Sequence, residues 1–433
     1  MQRAEQWMVM IVLSVLVLLV LAGAVMTSFH SGTLFPWSLI PEFIPLLLLG
    51  VLLWIAGWIV DGFGRDAQKS IHYRHIRKSS GPSLPMQRPT WLPKYIPELD
   101  GLRGLAILAV VLYHCNPRLK GTWIYYGTLW GWAGVIIFFV LSGFLITSIL
   151  LTSRDKPHYF HNFHARRILR IWPVYALVLI VVYLEAPWFI GPPVWEAIRT
   201  APWLAYIFFV QNLFHLTLPP ALGPTWALAI EEQYYFVWAP LVRFLRRPWM
   251  LASVLAAALV ASPLLRRANL PWITPTHTLI HLDGLAWGSL LALATHTLPL
   301  ARRVWLWMGL GGLVAGIWAA ATIAGGTAFL DSALAIAFAG AMLAAIASSG
   351  ARNPLSAVLR RGPLAFYGRI SYGLYMIHIS VFIFFGWFDL RMDRYGIAGN
   401  LAVVAFRLAV STAAAAALWY GFESQILKLK RYF

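Results

Sequence analysis

The sequence has few of the residues that give soluble proteins their cross-links and their charged surface. It contains one cysteine, Cys115, which excludes an intrachain disulfide and a cysteine-rich metal site. Only 12% of the 433 residues are charged, and Asp and Glu number 16 against 34 Lys and Arg. An average soluble domain carries roughly 25% charge. So little charge argues against an ordinary soluble enzyme.

Apolar residues are abundant instead, at 60% of the chain, which excludes a disordered protein. They form two runs before residue 61 and eleven after it. Most approach the roughly 20 residues that a membrane-spanning helix needs. The first run, at 7–26, could be a signal peptide, but it exceeds the usual apolar region of about 7–15 residues, so we interpret it as a retained span. We predict an all-α, polytopic membrane helix bundle of about 12 transmembrane helices, with a ten-helix core and a two-helix N-terminal extension.

The Lys and Arg residues are distributed unevenly between successive loops. If the N-terminus is cytoplasmic, 25 of the 34 lie in cytoplasmic segments, seven in the other loops, and two, Arg103 and Arg407, inside spans. The positive-inside rule predicts such a bias. We therefore expect an integral protein of the cytoplasmic (inner) membrane with both termini in the cytoplasm. The net charge of +18 then reflects orientation in the lipid bilayer, and no nucleic-acid partner is predicted.

Two features divide the chain further. Residues 65–94 hold seven Lys or Arg and several prolines, which is typical of a polar linker. We predict an N-terminal transmembrane hairpin at 1–60, a basic cytoplasmic linker at 61–94 and a membrane core at 95–433. Within the core, the short polar segment 203–215 is predicted to be re-entrant or interfacial, because the basic segments flanking it require an even number of crossings.

Ionisable residues inside spans are costly and are functional candidates by default. Asp100 is expected to cap a helix that carries Arg103 and, eleven residues later, His114. Eleven residues are close to three turns, about 16 Å, so the two side chains share a face. They could be an anion anchor and a general base, or a snorkelling arginine and a histidine satisfied by its neighbours.

Two adjacent carboxylates, Glu231 and Glu232, begin another apolar helix, and only one of them can easily face His114. A facing carboxylate would orient the imidazole, as in hydrolytic triads. The alternative is a structural pair with an intramembrane arginine such as Arg407.

Three arginines, Arg166, Arg167 and Arg170, lie at the predicted cytoplasmic start of a span. They suit a polyphosphate, because guanidinium groups bind phosphate in a bidentate geometry. Taken alone, they are better explained by membrane anchoring or by contact with anionic lipid. The histidines before them recur every three residues without a partner carboxylate, so no metal is predicted.

The remaining polar candidates lie near the C-terminal half of the core. Ser371, Tyr375 and His378 form one stripe on an apolar helix, and they are predicted to contact substrate together with Asp283. Glu423 is a weaker candidate. Cys115 is expected to be a small buried apolar residue, because adjacent helical residues such as His114 and Cys115 point about 100° apart.

Residues 95–425 resemble the acyltransferase-3 family of integral membrane proteins. The most specific block is Leu-Asp-Gly-Leu-Arg103-Gly with His114, which matches the family's Arg/Lys-x10-His signature. One position departs from the family pattern, since Ala227 follows Trp226 where a serine is usual. We also expect no SGNH-type esterase domain, which some members carry. The other matching blocks begin at Phe138, Arg166, Thr225 and Ile370.

The resemblance implies acyl transfer, usually of acetyl, from acyl-CoA to a sugar, glycan or other small hydroxylated acceptor. It implies that His114 is the catalytic base, that Arg103 contacts the donor, and that Glu231 is the family's glutamate. Arg166, Arg167 and Arg170 would then hold the CoA phosphates. We expect direct transfer assisted by His114, with an acyl-histidine relay as the competing mechanism. A proton-coupled transporter or flippase without acyl chemistry, or a silent scaffold, are the alternatives from other classes.

Overall fold

The computed structural model describes residues 95–189, 203–213, 219–322, 327–349 and 354–433, together with Pro89 and 91–93. The predicted hairpin at 1–60 and almost all of the predicted linker lie outside the described residues. The described chain is all-helical, as predicted. Its α-helices are α1 (Pro97–Leu119), α2 (Trp123–Thr128), α3 (Gly134–Ser153), α4 (Tyr159–Phe189), α5 (Trp203–Ile207), α6 (Thr225–Phe244), α7 (Pro248–Ala268), α8 (Leu282–Thr297), α9 (Arg302–Thr322), α10 (Thr327–Ser348), α11 (Pro354–Leu359), α12 (Gly362–Phe384), α13 (Gly386–Met392), α14 (Gly396–Leu418) and α15 (Ser424–Leu427).

Five stretches of the described chain are long and apolar enough to cross a membrane. They contain α2–α3, α7, α9, α10 and α13–α15. In α9 only 17% of the most apolar window is buried in the protein, against 72% in the stretch that holds α3. The prediction of a membrane helix bundle is confirmed to that extent, and the count of about 12 spans stays a prediction.

Helix α1 begins at Pro97, and its N-cap, Ile96, lies four residues before the N-cap predicted at Asp100. Proline suits the first helical position, because its fixed φ matches a helix and its missing N–H would be unpaired there anyway. Ile96 is the N-cap and makes no side-chain cap. The expectation that Asp100 caps the helix is therefore wrong, and this residue lies within the first turn.

Helices α1 and α12 pack with their backbones in direct contact. A Cβ atom added to Gly368 of α12 would lie 2.0 Å from the carbonyl oxygen of Asp100, and one added to Gly104 would lie 2.1 Å from the carbonyl oxygen of Leu364. Only glycine permits so close an approach. The contact brings the polar residues of α1 and α12 side by side.

Several basic segments meet at one end of the bundle. Arg246 pairs with Asp155 at 3.2 Å, which joins the α3–α4 and α6–α7 connections. Arg360 donates to Glu98 at 2.7 Å, which joins the start of α1 to the end of α11. Arg118, at the opposite end of α1, instead binds Asp393. This arrangement supports the predicted one-sided distribution of Lys and Arg, while the orientation in the cell stays a prediction.

The segment 203–213 does not form a long helix. Its only described helix is the five-residue α5, and it then continues irregularly. Gln211 and Asn212 are fully buried, and their amides donate to Thr225 and Thr278. Non-helical backbone at membrane depth is tolerated only where protein satisfies it. These contacts hold the irregular segment inside the protein, and its re-entrant or interfacial course stays a prediction.

Candidate active site

Two histidines from neighbouring helices meet inside the bundle. The rings of His114 in α1 and His378 in α12 have centroids 4.9 Å apart, and His378 Nε2 lies 3.2 Å from His114 Nδ1. His114 Nδ1 also lies 2.9 Å from the carbonyl oxygen of Val110. His378 is fully buried, and its Nδ1 lies 3.0 Å and 2.8 Å from the carbonyl oxygens of Leu374 and Tyr375.

These contacts assign a proton to each ring, because a carbonyl oxygen only accepts hydrogen bonds. His378 Nδ1–H donates to the two carbonyls, so its Nε2 lone pair faces His114. His114 Nδ1–H donates to Val110 and to that lone pair. His114 Nε2 is then unprotonated, and among the described residues it has no hydrogen-bond partner. Neutral His114 thus presents a basic nitrogen to its surroundings.

Glu231 does not orient His114, contrary to the expectation from the sequence. Its carboxylate accepts hydrogen bonds from Ser142 Oγ at 2.6 Å and from the Tyr235 hydroxyl at 3.0 Å. The reason is its position on α6, which packs against α3, whereas His114 lies between α1 and α12. The alternative pairing with Arg407 is also absent in the described chain, where Arg407 binds Asp389.

The predicted polar stripe on α12 is only partly directed to the histidine pair. Ser371 is buried, and its hydroxyl donates at 2.9 Å to the carbonyl oxygen of Gly368 in its own helix. Tyr375 packs its ring 6.1 Å from that of Phe138 and 6.1 Å from that of His378. Within the described chain its hydroxyl makes no hydrogen bond. Of the three, His378 contacts His114 directly and Tyr375 lies beside the pair.

Asp283 is an internal ion-pair partner rather than a residue open to substrate. Arg266 donates to its two carboxylate oxygens at 2.6 Å and 3.3 Å, and Ser332 donates at 2.5 Å. Both charged side chains are more than nine-tenths buried. The sequence could not show this, because Arg266 and Ser332 lie on α7 and α10, distant in the chain from α8. Asp283 thus joins three helices, and its contact with substrate stays a prediction.

A basic cavity of about 420 Å³ opens beside the first turns of α1. Five cationic side chains line it and only one carboxylate, that of Asp100, does so. Aromatic rings complete its wall. Such an excess of positive charge attracts a polyanion. The lining residues are Tyr95, Asp100, Arg103, Arg167, Arg170, Gly368, Arg369, Trp419 and Lys430.

Arg170 is held rigidly in this cavity wall. Its guanidinium lies 5.8 Å from the ring centre of Tyr372 and 5.7 Å from that of Trp419, and it donates to Glu423. Trp419 and Glu423 belong to a π-helical turn, Trp419–Glu423, that follows α14. Such turns widen the helix locally and often occur at functional sites. Here the turn places an aromatic face and a carboxylate around one arginine, so Glu423 binds a cavity arginine.

Arg166 lies outside the cavity, although its neighbours Arg167 and Arg170 line it. Its side chain is exposed and donates at 2.5 Å to the backbone carbonyl of Phe433. Successive helical residues point about 100° apart, which separates Arg166 from Arg167. Of the three arginines that the sequence groups together, Arg167 and Arg170 line the cavity and Arg166 does not.

The mouth of the cavity holds the hydrogen bond between Tyr95 and Asp100. This bond raises the pKa of the Tyr95 hydroxyl from its usual 10.0 to about 12, with burial a smaller cause. Elsewhere in the described chain, no group of three His, Cys, Asp or Glu side chains is placed to hold a metal. Cys115 is buried in the apolar contact between α1 and α12.

Several residues of the site have no role assigned from the sequence, among them Tyr95, Ser142, Arg369, Trp419 and Lys430. Ser142 and Arg369 lie in or beside motifs that the sequence displays, Leu-Ser142-Gly and Gly-Arg369-Ile-Ser. Trp419 and Lys430 have no local signal, because the C-terminal segment reaches the cavity only through the tertiary fold.

Comparison with known proteins identifies the family. A family model described as an acyltransferase domain matches residues 96–420, about three quarters of the chain. The chain belongs to the acyltransferase-3 family. No solved structure matches this chain.

Its relatives are similar over part of their length. The chain is 40% identical over 168 residues to the peptidoglycan O-acetyltransferase OatA of Listeria monocytogenes, covering 35% of this chain and 25% of the relative. It is 36% identical over 172 residues to the putative peptidoglycan O-acetyltransferase YrhL of Bacillus subtilis, covering 35% and 24%. It is 31% identical over 183 residues to the O-acetyltransferase OatA of Staphylococcus aureus, covering 39% of this chain and 28% of the relative. The match thus spans about a quarter of each relative.

Proposed function

We propose that this protein is a membrane O-acyltransferase that moves an acetyl group from acetyl-CoA to a glycan hydroxyl, with peptidoglycan as the acceptor class. The observation that carries the proposal is the layout of α1. Arg103 lies in a cavity of five cations, and His114 presents a free basic nitrogen eleven residues further along. Eleven helical residues correspond to about 16 Å. The names of the relatives support the acyl group and the acceptor class.

The basic cavity suits the nucleotide end of acyl-CoA. That end carries several phosphate charges, which Arg103, Arg167 and Arg170 bind in charge-assisted contacts. The rest of CoA, the pantetheine arm, is long and much less polar, so it can extend along α1 into the apolar interior. The thioester then reaches the depth of His114 while the charged end stays at the basic face, which we assign to the cytoplasm.

His114 supplies the proton transfer that an alcohol needs before it attacks a thioester. As the acceptor oxygen bonds to the thioester carbon, His114 Nε2 takes the hydroxyl proton. The carbon–sulfur bond then breaks, and the imidazolium returns the proton to the leaving sulfur. The products are an O-acyl ester and free CoA thiol. Positioned general-base catalysis of this kind accelerates a reaction by about 10²–10⁴-fold.

The proposal is tested with purified protein, labelled acetyl-CoA and soluble peptidoglycan chains. We expect label in the glycan as an alkali-labile ester, and we expect His114→Ala to lower kcat by about 10²–10⁴-fold. His164→Ala is the matched control, since His164 lies on α4 with its ring 5.0 Å from that of Phe163, away from the histidine pair. Its kcat should stay within about twofold of that of the unmodified protein.

Three outcomes would contradict the proposal or its mechanism. Intact acetyl-CoA after incubation would favour a transporter. Near-normal turnover in His114→Ala would remove the histidine from the mechanism. Labelled protein that accumulates without acceptor, and loses its label in His114→Ala, would replace direct transfer by an acyl-histidine relay.

A further inference from the structure

We propose that His378 is a positioning residue for His114, and that the two form a histidine pair in which α12 fixes the protonation of the base on α1. The inference rests on the proposed function, because it concerns the same reaction. In Ser-His-Asp enzymes a carboxylate fixes the ring and the tautomer of the catalytic histidine. In the described part of this protein no carboxylate contacts His114. A second imidazole occupies that position.

His378 is held so that it can only accept from His114. Its Nδ1–H has two carbonyl acceptors, Leu374 and Tyr375, at 3.0 Å and 2.8 Å. Rings of Phe382 and Tyr375 lie 5.8 Å and 6.1 Å from its own ring. A flipped ring would lose both carbonyl bonds inside a fully buried site. The Nε2 lone pair of His378 therefore stays directed at His114.

Two acceptors for one N–H fix the ring of His114 in a way that one cannot. The Val110 carbonyl belongs to the same helix, one turn before His114, and restrains only one direction of ring movement. His378 adds a contact from a different helix, at 3.2 Å, so the ring plane is defined by both α1 and α12. Tyr113, whose ring lies 5.5 Å away, is the other titratable side chain in ring contact with His114. The lone pair of His114 Nε2 is thereby aimed without any charged partner.

The same contact stabilises the proton that His114 takes up. When Nε2 accepts the proton of the attacking hydroxyl, His114 becomes an imidazolium with both nitrogens protonated. Its Nδ1–H then makes a charge-assisted hydrogen bond to the neutral Nε2 of His378. The proton on Nε2 remains available for the leaving sulfur, so protons balance over the cycle and His378 ends as it began. A neutral acceptor stabilises this cation less than a carboxylate does.

The test compares His378→Phe, which removes the acceptor, with His378→Gln, which keeps an accepting amide oxygen. Both are assayed with acetyl-CoA and soluble peptidoglycan chains. We expect His378→Phe to lower kcat by roughly 10- to 100-fold, by analogy with the loss of partners that orient metal-binding histidines. The KM for acetyl-CoA should be unchanged, because the basic cavity is untouched. His378→Gln should recover most of the kcat.

A spectroscopic measurement tests the assignment without any loss of fold. In the ¹⁵N spectrum of histidine-labelled protein, the His114 signals, identified by their absence in His114→Ala, should show a protonated Nδ1 and an unprotonated Nε2. The reverse tautomer would overturn the proposal. So would wild-type kcat in His378→Phe, or equal losses in folded Phe and Gln variants. If these occur while His114→Ala remains inactive, the pair is wrong and the proposed function stands. Full activity of His114→Ala would instead contradict the proposed function.

Discussion

Charged side chains in this bundle occur in two kinds of cluster, closed and open. In the closed clusters every charge has its partner: Arg266 with Asp283, and Glu98 with Arg360, Ser349 and Ser356. In the open cluster, the basic cavity, five cationic side chains and one carboxylate form the lining, and within the described residues Arg170 alone of the five pairs with a further carboxylate, Glu423. The residue types are the same in both. The difference shows that a charge in an apolar helix becomes a functional candidate when its partners are missing, and that the residue type alone does not decide it.

The two kinds of cluster also differ in what they join. The closed clusters link helices that are distant in sequence, such as α7, α8 and α10 through Asp283. Loss of one partner there leaves an uncompensated buried charge, so the expected consequence is lower stability. Arg170 of the open cluster behaves in the same way, because it pairs with the buried Glu423. Arg167 makes no ion pair within the described residues, so its loss leaves no such charge and the expected consequence is weaker ligand binding.

The largest expected effect is in a closed cluster. Asp283→Ala leaves Arg266 buried with only the more distant carboxylate of Asp331, at 3.9 Å, and should lower the free energy of unfolding by up to about 3–5 kcal/mol. Thermal unfolding in detergent measures the loss. The double variant Asp283→Leu with Arg266→Met should recover much of it, since apolar replacement of a buried pair is often neutral. An Asp283→Ala variant as stable as the unmodified protein would contradict the claim that closed clusters stabilise the fold.

The open cluster offers a matched pair of adjacent arginines. Arg167→Gln removes a cavity cation and should raise the KM for acetyl-CoA about tenfold or more, because a hydrogen bond to a charged group contributes about 1.5–3 kcal/mol. Arg166→Gln removes an exposed cation outside the cavity, and its KM should change less than about twofold. Steady-state kinetics at fixed acceptor concentration compares them. Equal effects would assign both arginines to general attraction of anions.

The smallest expected effect concerns the one carboxylate of the open cluster. Tyr95→Phe removes an exposed donor to Asp100, so its effect on stability and on KM should be close to the error of measurement. The pH dependence of this contribution to stability follows from the pKa of the Tyr95 hydroxyl, which is about 12 in the folded protein and 10.0 in the free side chain. The bond contributes fully below pH 10 and is lost as the pH rises toward 12. A tenfold change in KM at neutral pH would show that Asp100 belongs to the donor site.

Part of this site could be predicted from the sequence because it follows from one helix. The spacing of Arg103 and His114, and the apolar residues between them, suffice to place an anchor and a base on one face. The stripe on α12 likewise indicates that His378 faces inward. Both inferences depend on helical periodicity alone.

The remainder depends on contacts between helices, which periodicity does not encode. Glu231 and Asp283 looked alike as carboxylates in apolar helices, yet one binds Ser142 and the other Arg266. The sequence does not distinguish Arg166 from Arg167. In the structure, Arg166 donates to the C-terminal residue Phe433, whereas Arg167 lines the cavity. The start of α1 was misplaced because Asp100 is a good cap and Pro97 is a better first residue.

The central claim is that binding and chemistry are separated along α1, with the cavity holding the donor and His114 reacting. Equilibrium binding of labelled acetyl-CoA to purified His114→Ala, measured beside its rate of acyl transfer, tests this most directly. We predict wild-type affinity for acetyl-CoA together with a transfer rate lowered by about 10²–10⁴-fold. A transfer rate near that of the unmodified protein, or loss of binding in parallel with loss of transfer, would contradict the claim.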